Sequence, residues 1–485
     1  MRVESIAVGG ASAVIGAGRS HALRGGSEIA DRLGPGTAVA LVGVAGGLSP
    51  ELQPGDTVVA SELRDTESSV PLMLSGAAMI AAELKRAGIK VRMGPLVSSP
   101  RYVRADEREA LAGSGAVAVD MESAWVMRAF PDHPRAVVRC ISDTADCGPV
   151  RGGLRGLRAL RAARGPLERW ARACGAHEVR LASPRSFCAG VDRAIEIVEQ
   201  ALGAHAAPVY VRRQIVHNLH VVRSLEAKGA VFVDEVDEVP PGAVLVLAAH
   251  GVSPQVRDQA TQRDDLEVID ATCPLVAKVH NEARRCASED ENIVIIGHAD
   301  HEEVIGTLGE APGRCYVVEN VEDVGRLEIP TTPERQRAYL TQTTLATDET
   351  AEIVAALRAR FPGIKAPLAD DICYATQNRQ DAVRRLARQS DLVVVVGSEN
   401  SSNAARLVEV ARREGCRAEL IEDAEHLALG WLAGVKRIGL TAGASAPESL
   451  VSEVIEAFRA LGPVALREET VTEETVHFPL PTQVR

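Results

Sequence analysis

From about residue 179 onward, short unbroken apolar runs recur, each followed by an amphipathic stretch. The runs are PVYV (208–211), VLVLAAHG (244–251), IVIIGHA (293–299), LVVVVGSENSSN (392–403) and RIGLTAGAS (437–445). Runs without polar alternation suit parallel strands buried on both faces. Strand–helix alternation implies right-handed crossovers and layered sheets, so the expected class is α/β. Polar residues stand where the runs end: His250, His298, Ser401, Ser402, Asn403 and Ser445. In open parallel sheets, ligands collect at the carboxyl ends of the strands. The recurrence predicts pseudo-repeated subdomains around a shared centre.

The first 150 residues have a different texture, rich in Gly, Ala and Val. An arginine-dense stretch follows at 151–172, with Leu154, Leu157, Leu160 and Leu167 at helical spacing. It reads as a helix with a solvated basic face that closes a separate domain. The expected domains are 1–172 and 178–485. Aromatics at 3% argue against a base-stacking nucleic-acid platform, and a net charge of −12 argues against a surface for phosphate backbones or anionic membranes. No apolar run approaches the roughly 18 residues of a membrane span. In residues 1–18, Glu4 and several glycines interrupt what would otherwise resemble a signal peptide. The nine cysteines are odd in number and widely spaced. That pattern fits a reducing cytoplasm better than a disulfide framework.

Three cysteines have special settings. Cys188 (SFCAGVDRAI), Cys273 (DATCPLVAKVH) and Cys373 (DDICYATQNRQ) each sit just before a predicted helix, with Pro274 at a first helical position. A helix N-terminus favours thiolate over thiol. Three thiolates could converge on one iron–sulfur cluster and leave one iron open to substrate. Zinc cysteines usually come in close pairs, and none occurs here. Spacing alone equally allows three buried cysteines acting as small hydrophobes. The other six cysteines are expected to be inert.

A polar group accompanies them: His217, His250, His301, Glu303, Thr343, Thr344, Ser401, Ser402, Asn403 and Ser445. Any one of these can be a helix cap. Together at strand ends they would form a pocket of hydrogen-bond donors able to hold a diphosphate without a Lys/Arg clamp. Histidine could add positive charge on demand.

In chain order, the motifs FCAGVDRAI, VHN, AHGVS, DATCPLV, GHADHEEVIGT, TQTTL, DDICYATQNRQ, GSENSSN and TAGASAPESL resemble the 4-hydroxy-3-methylbut-2-enyl diphosphate reductase family. The resemblance covers about residues 179–485. It implies a three-lobed α/β fold around one 4Fe–4S cluster held by Cys188, Cys273 and Cys373. It also implies that the polar group surrounds the substrate diphosphate and alcohol, and that Glu303 delivers protons. The products would be isopentenyl and dimethylallyl diphosphate, in the last step of the non-mevalonate isoprenoid pathway. No flavin or nicotinamide motif is visible, so the implied electron donor is a ferredoxin or flavodoxin. His220, Leu219 and Glu302 depart from the family pattern, Glu302 standing where proline is common.

GVAGGLSPELQPGDTVVASE, AVAVDMESAWV and VVRCISDTAD resemble the nucleoside phosphorylase and nucleosidase superfamily, closest to phosphorylase-like proteins associated with hopanoid synthesis. By that resemblance Met121 and Glu122 would hold a ribose, and Asp143 would protonate or orient a leaving base. The superfamily's usual opening strand and acid-bearing loop precede the segment that GAGRSHA matches, so this half is expected to be incomplete and impaired. Two other readings stay open for the later residues. One is another three-cysteine cluster enzyme, such as a quinolinate-synthase-like dehydratase; the other is a non-catalytic iron–sulfur sensor.

Overall fold

Strands form where the apolar runs fall. Val209–Arg212, Val244–Leu247, Asn292–Ile296, Leu392–Val396 and Arg437–Ala442 are all β, each leading into a helix or a turn before one. This computed structural model describes residues 5–8, 11–14, 19–34, 36–66, 70–145, 147, 149–205, 208–330 and 336–484. It divides into two units. The first comprises Met1–Val179, Asp423–Ile438 and Ser452–Arg467; the second comprises Arg180–Glu422, Gly439–Val451 and Glu468–Arg485.

The second unit holds the parallel sheets. One has four strands in the order Ala230–Val233, Val209–Arg212, Val244–Leu247, Glu267–Asp270, all parallel. Another has three, Cys315–Val318, Asn292–Ile296 and Arg337–Thr341, also parallel. A third contains the parallel pair Arg417–Ile421 and Leu392–Val396. The central strands LVVVV, NIVII and VLVL are buried at every residue, which accounts for their lack of alternation. Each buried Val, Leu or Ile contributes roughly 1.5–3 kcal/mol, and these runs anchor five packed clusters, VLVL and NIVII each serving one on either face. Cys286 and Cys416 lie within those cores, as expected of inert cysteines.

The first unit is built differently. Val39–Gly47 pairs with Ala118–Asp120, which pairs with Val91–Ser98, then Thr57–Asp65, then Arg135–Asp143, which returns to Val39–Gly47. The pairing therefore closes on itself. Its core includes Leu41, Leu96, Met127, Phe130 and Val137. The arginine-dense stretch is a helix, Pro149–Ala173, that buries Leu167 and Trp170 and exposes Arg161 and Arg164. The side chains of Leu154 and Leu157 lie outside the described residues. Strands Ser5–Val8 and Ala11–Val14 occupy part of the opening stretch, whose other residues also lie outside the description. Among the described residues no helix is long and apolar enough to cross a membrane.

Candidate active site

In the second unit, each of the three cysteines occupies the N-cap position of a helix. Cys188 precedes Ala189–Ala204, Cys273 precedes Pro274–Ser288 and Cys373 precedes Tyr374–Ala387. Pro274 takes the first turn, where its missing N–H removes no helical bond. The Cys373 sulfur accepts from the Thr376 backbone N–H at 3.3 Å and lies 3.1 Å from the Thr376 hydroxyl. All three thiols line one cavity of about 110 Å³. They reach it past Gly190, where a Cβ would lie 2.6 Å from the Cys273 sulfur and 3.9 Å from that of Cys188.

Two of the thiols differ from expectation in their charge. Burial pushes Cys273 up to about 12 and Cys373 up to about 11, and Cys188 adds repulsion to both. N–H groups at the helix ends lower both values without overcoming burial. Cys273 and Cys373, facing one space, need a positively charged partner before they deprotonate, which is what a metal supplies. Among the described residues no His, Cys, Asp and Glu group has the spacing of a single metal ion. The donor set suits a larger group, and three cysteines around a Cβ-free cradle fit an iron–sulfur cluster. Gly190→Ala should therefore abolish most cluster uptake in an anaerobic reconstitution titration, with the fold retained by circular dichroism.

The predicted polar group converges on the same cavity. His217, His250 and His301 line it together with Glu303, Thr343 and Thr344. Ser401, Ser402, Asn403 and Ser445 complete that part of the wall. The His217 and His250 rings stack with centroids 3.9 Å apart, and His301 meets them edge-on at 5.4 and 6.0 Å. Burial pushes His217 and His301 down to about 4, and His250 well below its ordinary value. Positive charge on demand is thus not their resting condition; burial favours the neutral rings. Both ring nitrogens of His217 are buried without a protein partner, as is the Tyr374 hydroxyl. Such groups are costly unless a ligand satisfies them.

His301 caps Glu302–Glu310, its Nδ1 accepting from the Glu303 N–H at 3.2 Å. The proton of this neutral ring therefore sits on Nε2. Cap and site residue are here the same side chain. Glu303 is buried, and its carboxyl accepts from the Thr343 N–H at 2.7 Å and the Thr343 hydroxyl at 2.9 Å. Burial nevertheless pushes it up to about 7. Ser401 caps Ser402–Arg413, and Asn403 accepts from the Ala444 N–H at 2.9 Å. Ser445 donates to the His217 carbonyl at 3.0 Å, and Thr344 donates to Ser402 at 3.1 Å.

Sequence reasoning missed several neighbours. Gln342, inside the quoted TQTTL, donates to Thr344 at 2.8 Å and to Ser402 at 3.4 Å. Asp371, two residues before Cys373, is buried and accepts from the Thr341 N–H at 3.0 Å. Phe478 also lines the cavity, from a segment of irregular structure with no periodicity to reveal it. Two larger cavities, of about 450 and 490 Å³, share His217 with the central one.

In the first unit, Met121, Glu122 and Asp143 line a separate cavity of about 290 Å³. Glu122 is paired with the fully buried Arg139, which also meets Asp120 at 2.8 Å. Asp143 is paired with buried Arg108 and accepts from the Tyr102 hydroxyl at 3.2 Å and the Ser142 hydroxyl at 2.6 Å.

Two family models match successive parts of the chain. Residues 5–153 match the Phosphorylase superfamily model, and residues 179–459 match the model described as LytB protein. A 4-hydroxy-3-methylbut-2-enyl diphosphate reductase of Bordetella pertussis is 57% identical over 304 residues, covering 63% of this chain and 93% of that protein. One from Cutibacterium acnes is 54% identical over 314 residues, covering 64% and 96%. The solved E-1-hydroxy-2-methyl-but-2-enyl-4-diphosphate reductase of Plasmodium falciparum is 39% identical with a TM-score of 0.61, covering 64% of this chain and 97% of that one. With its three capping cysteines and its histidine cluster on one cavity, this chain belongs to the LytB protein family.

Proposed function

We propose that the second unit reductively dehydroxylates (E)-4-hydroxy-3-methylbut-2-enyl diphosphate to isopentenyl and dimethylallyl diphosphate, the last step of the non-mevalonate pathway, at a 4Fe–4S cluster held by Cys188, Cys273 and Cys373. The observation that carries this reading is the joint lining of one cavity by three thiols, three neutral imidazoles and a protonatable carboxyl. When bound, such a cluster supplies electrons singly and offers one iron without a cysteine ligand to an oxygen.

The remaining work falls to the chain. The imidazole N–H groups and the hydroxyls of Ser401, Ser402 and Ser445 hold the diphosphate by hydrogen bonds, beside the positive end of helix Ser402–Arg413. Neutral donors suit this task, because binding the anion need not break an existing ion pair. The net reaction consumes two electrons and two protons and releases water. Glu303, with a carboxyl near 7, carries a proton through much of the neutral range and delivers it to the departing hydroxide. Thr343 fixes both carboxyl oxygens, so the proton is held in one place. A reduced ferredoxin or flavodoxin is the donor this reading requires, and the wide spacing of the free cysteines suits a cytoplasmic setting.

The test is a turnover assay on protein purified without air and supplied with a reduced one-electron donor. Formation of both diphosphate products is the expected outcome. Fully iron-loaded protein that leaves the substrate untouched would refute the assignment and favour the sensor reading. For the first unit we infer a nucleoside-binding module with little turnover, because Asp143 is already engaged by Arg108, Tyr102 and Ser142. Purine release from a nucleoside by the full chain, lost on Asp143→Asn, would contradict this.

A further inference from the structure

Two arginines outside the substrate contacts share one unusual arrangement. Arg379 is fully buried on the helix that begins after Cys373. It donates to the Ser186 carbonyl at 2.8 and 3.2 Å and to the Phe187 carbonyl at 3.2 Å, the two residues before Cys188. Its other arm donates to Glu474 at 3.0 Å, and Asn378 donates to the same carboxylate at 3.0 Å. Arg193, on the helix that begins after Cys188, repeats the pattern. It donates to the carbonyls of Ala271 at 3.3 Å and Thr272 at 3.1 Å, the two residues before Cys273, and to the Pro479 carbonyl at 2.9 Å. Both arginines thus clasp the turn that presents a thiol with one part of the guanidinium and the irregular segment 471–484 with another. Between their attachment points, Phe478 faces the cavity. Beyond them, Val484 is buried in the core around Val246 and Ile197.

The turn before Cys188 needs such support. Ser186 has φ of 58°, a left-handed conformation that costs a serine energy unless its surroundings hold it. Its carbonyl is held by Arg379 and its hydroxyl by Glu448 at 2.7 Å. A guanidinium suits the role, because its planar fork can serve carbonyls and a carboxylate at once and never loses its charge.

We propose that segment 471–484 seals the cluster cavity, and that Arg193 and Arg379 are positioning residues that fasten it to the turns carrying Cys273 and Cys188. This rests on the cluster assignment made above. Opening the segment exposes the cavity on the Phe478 side, so the rate at which a bound cluster gives up iron reports the frequency of opening.

The experiment uses full-length, anaerobically loaded protein and excess iron chelator, with no oxygen present. Phe478→Ala and Arg379→Gln should match wild type in initial iron and sulfide content yet lose iron about tenfold faster. Arg379→Lys should fall between, since an ammonium keeps the charge but cannot span both partners. Arg193→Gln should behave like Arg379→Gln. If Arg379→Gln fails to fold or load, Phe478→Ala, a half-buried site, decides the matter. Wild-type rates in Phe478→Ala would overturn the seal while leaving the cluster intact as an assignment. A wild-type chain that takes up no iron would overturn the cluster assignment, and the seal with it.

Discussion

Cys188→Ser, Cys273→Ser and Cys373→Ser should each yield colourless protein with turnover at background, while Cys286→Ser and Cys416→Ser stay brown and active. The first three are N-caps whose sulfurs face one cavity; the last two are packed in cores away from it. A serine hydroxyl is a poor substitute for thiolate at iron, and two remaining ligands cannot hold the cluster, about one per chain, expected of wild type. Iron and sulfide analysis with electron paramagnetic resonance gives the readout. Full cluster content in any of the first three variants would remove that residue from the ligand set. Because metal binding is coupled to local order, each of the three should also lose the thermal stabilisation that wild type gains on loading.

Glu303→Gln is the second large effect. The amide keeps the shape and can still meet Thr343, but it has no acidic proton to give. Positioned proton transfer is typically worth ~10²–10⁴-fold, so turnover should fall by at least ~10²-fold while cluster content and substrate affinity persist. The pH profile separates this from simple damage. Wild-type turnover should decline as pH rises through about 7, where Glu303 loses its proton, and the residual activity of the variant should lack that limb. Stability offers an independent check in metal-free protein. Between the ordinary carboxyl value of 4.5 and about 7 the folded chain holds a proton that the unfolded chain has released. The contribution of Glu303 to stability therefore falls as pH rises through that window and levels off above it. Glu303→Gln should lose less melting temperature than wild type between those limits. Near-normal turnover would return Glu303 to a structural role.

What could be read from sequence was local. Pro274 after Cys273, and the unbroken LVVVV and NIVII runs, announce their own structure because helix starts and doubly buried strands are set by near neighbours. The residues lining the cavity were legible for a related reason: strand ends are where parallel sheets gather ligands, and those ends are visible as polar breaks after apolar runs. Tertiary pairing was not legible. Thr343 grips Glu303 across 40 residues, and Arg379 grips the Cys188 turn across more than 190. An arginine that holds two carbonyls of a distant turn looks, in one dimension, like any arginine on a solvated helix face. The protonation of Cys273 and Cys373 in the metal-free chain depends on a third factor. Helix ends can be counted in a sequence, but the burial that outweighs them depends on the whole fold. The same holds for Asp143, whose partner Arg108 lies 35 residues earlier on a helix of its own.

The scattering of the thiols has a consequence for biosynthesis. Cys188 and Phe478 are 290 residues apart in sequence (478 − 188) yet share a wall of one cavity. At ribosomal speeds of ~5–20 residues per second, roughly 15–60 s separate the emergence of the first ligand from that of the last wall residue. During that interval Cys188 and then Cys273 are out of the ribosome without their companions. A cluster delivered early would find at most two of its three sulfurs, so loading belongs to the end of translation or after it. Nascent chains stalled before Cys373 should accept no stable iron, however much the cell supplies.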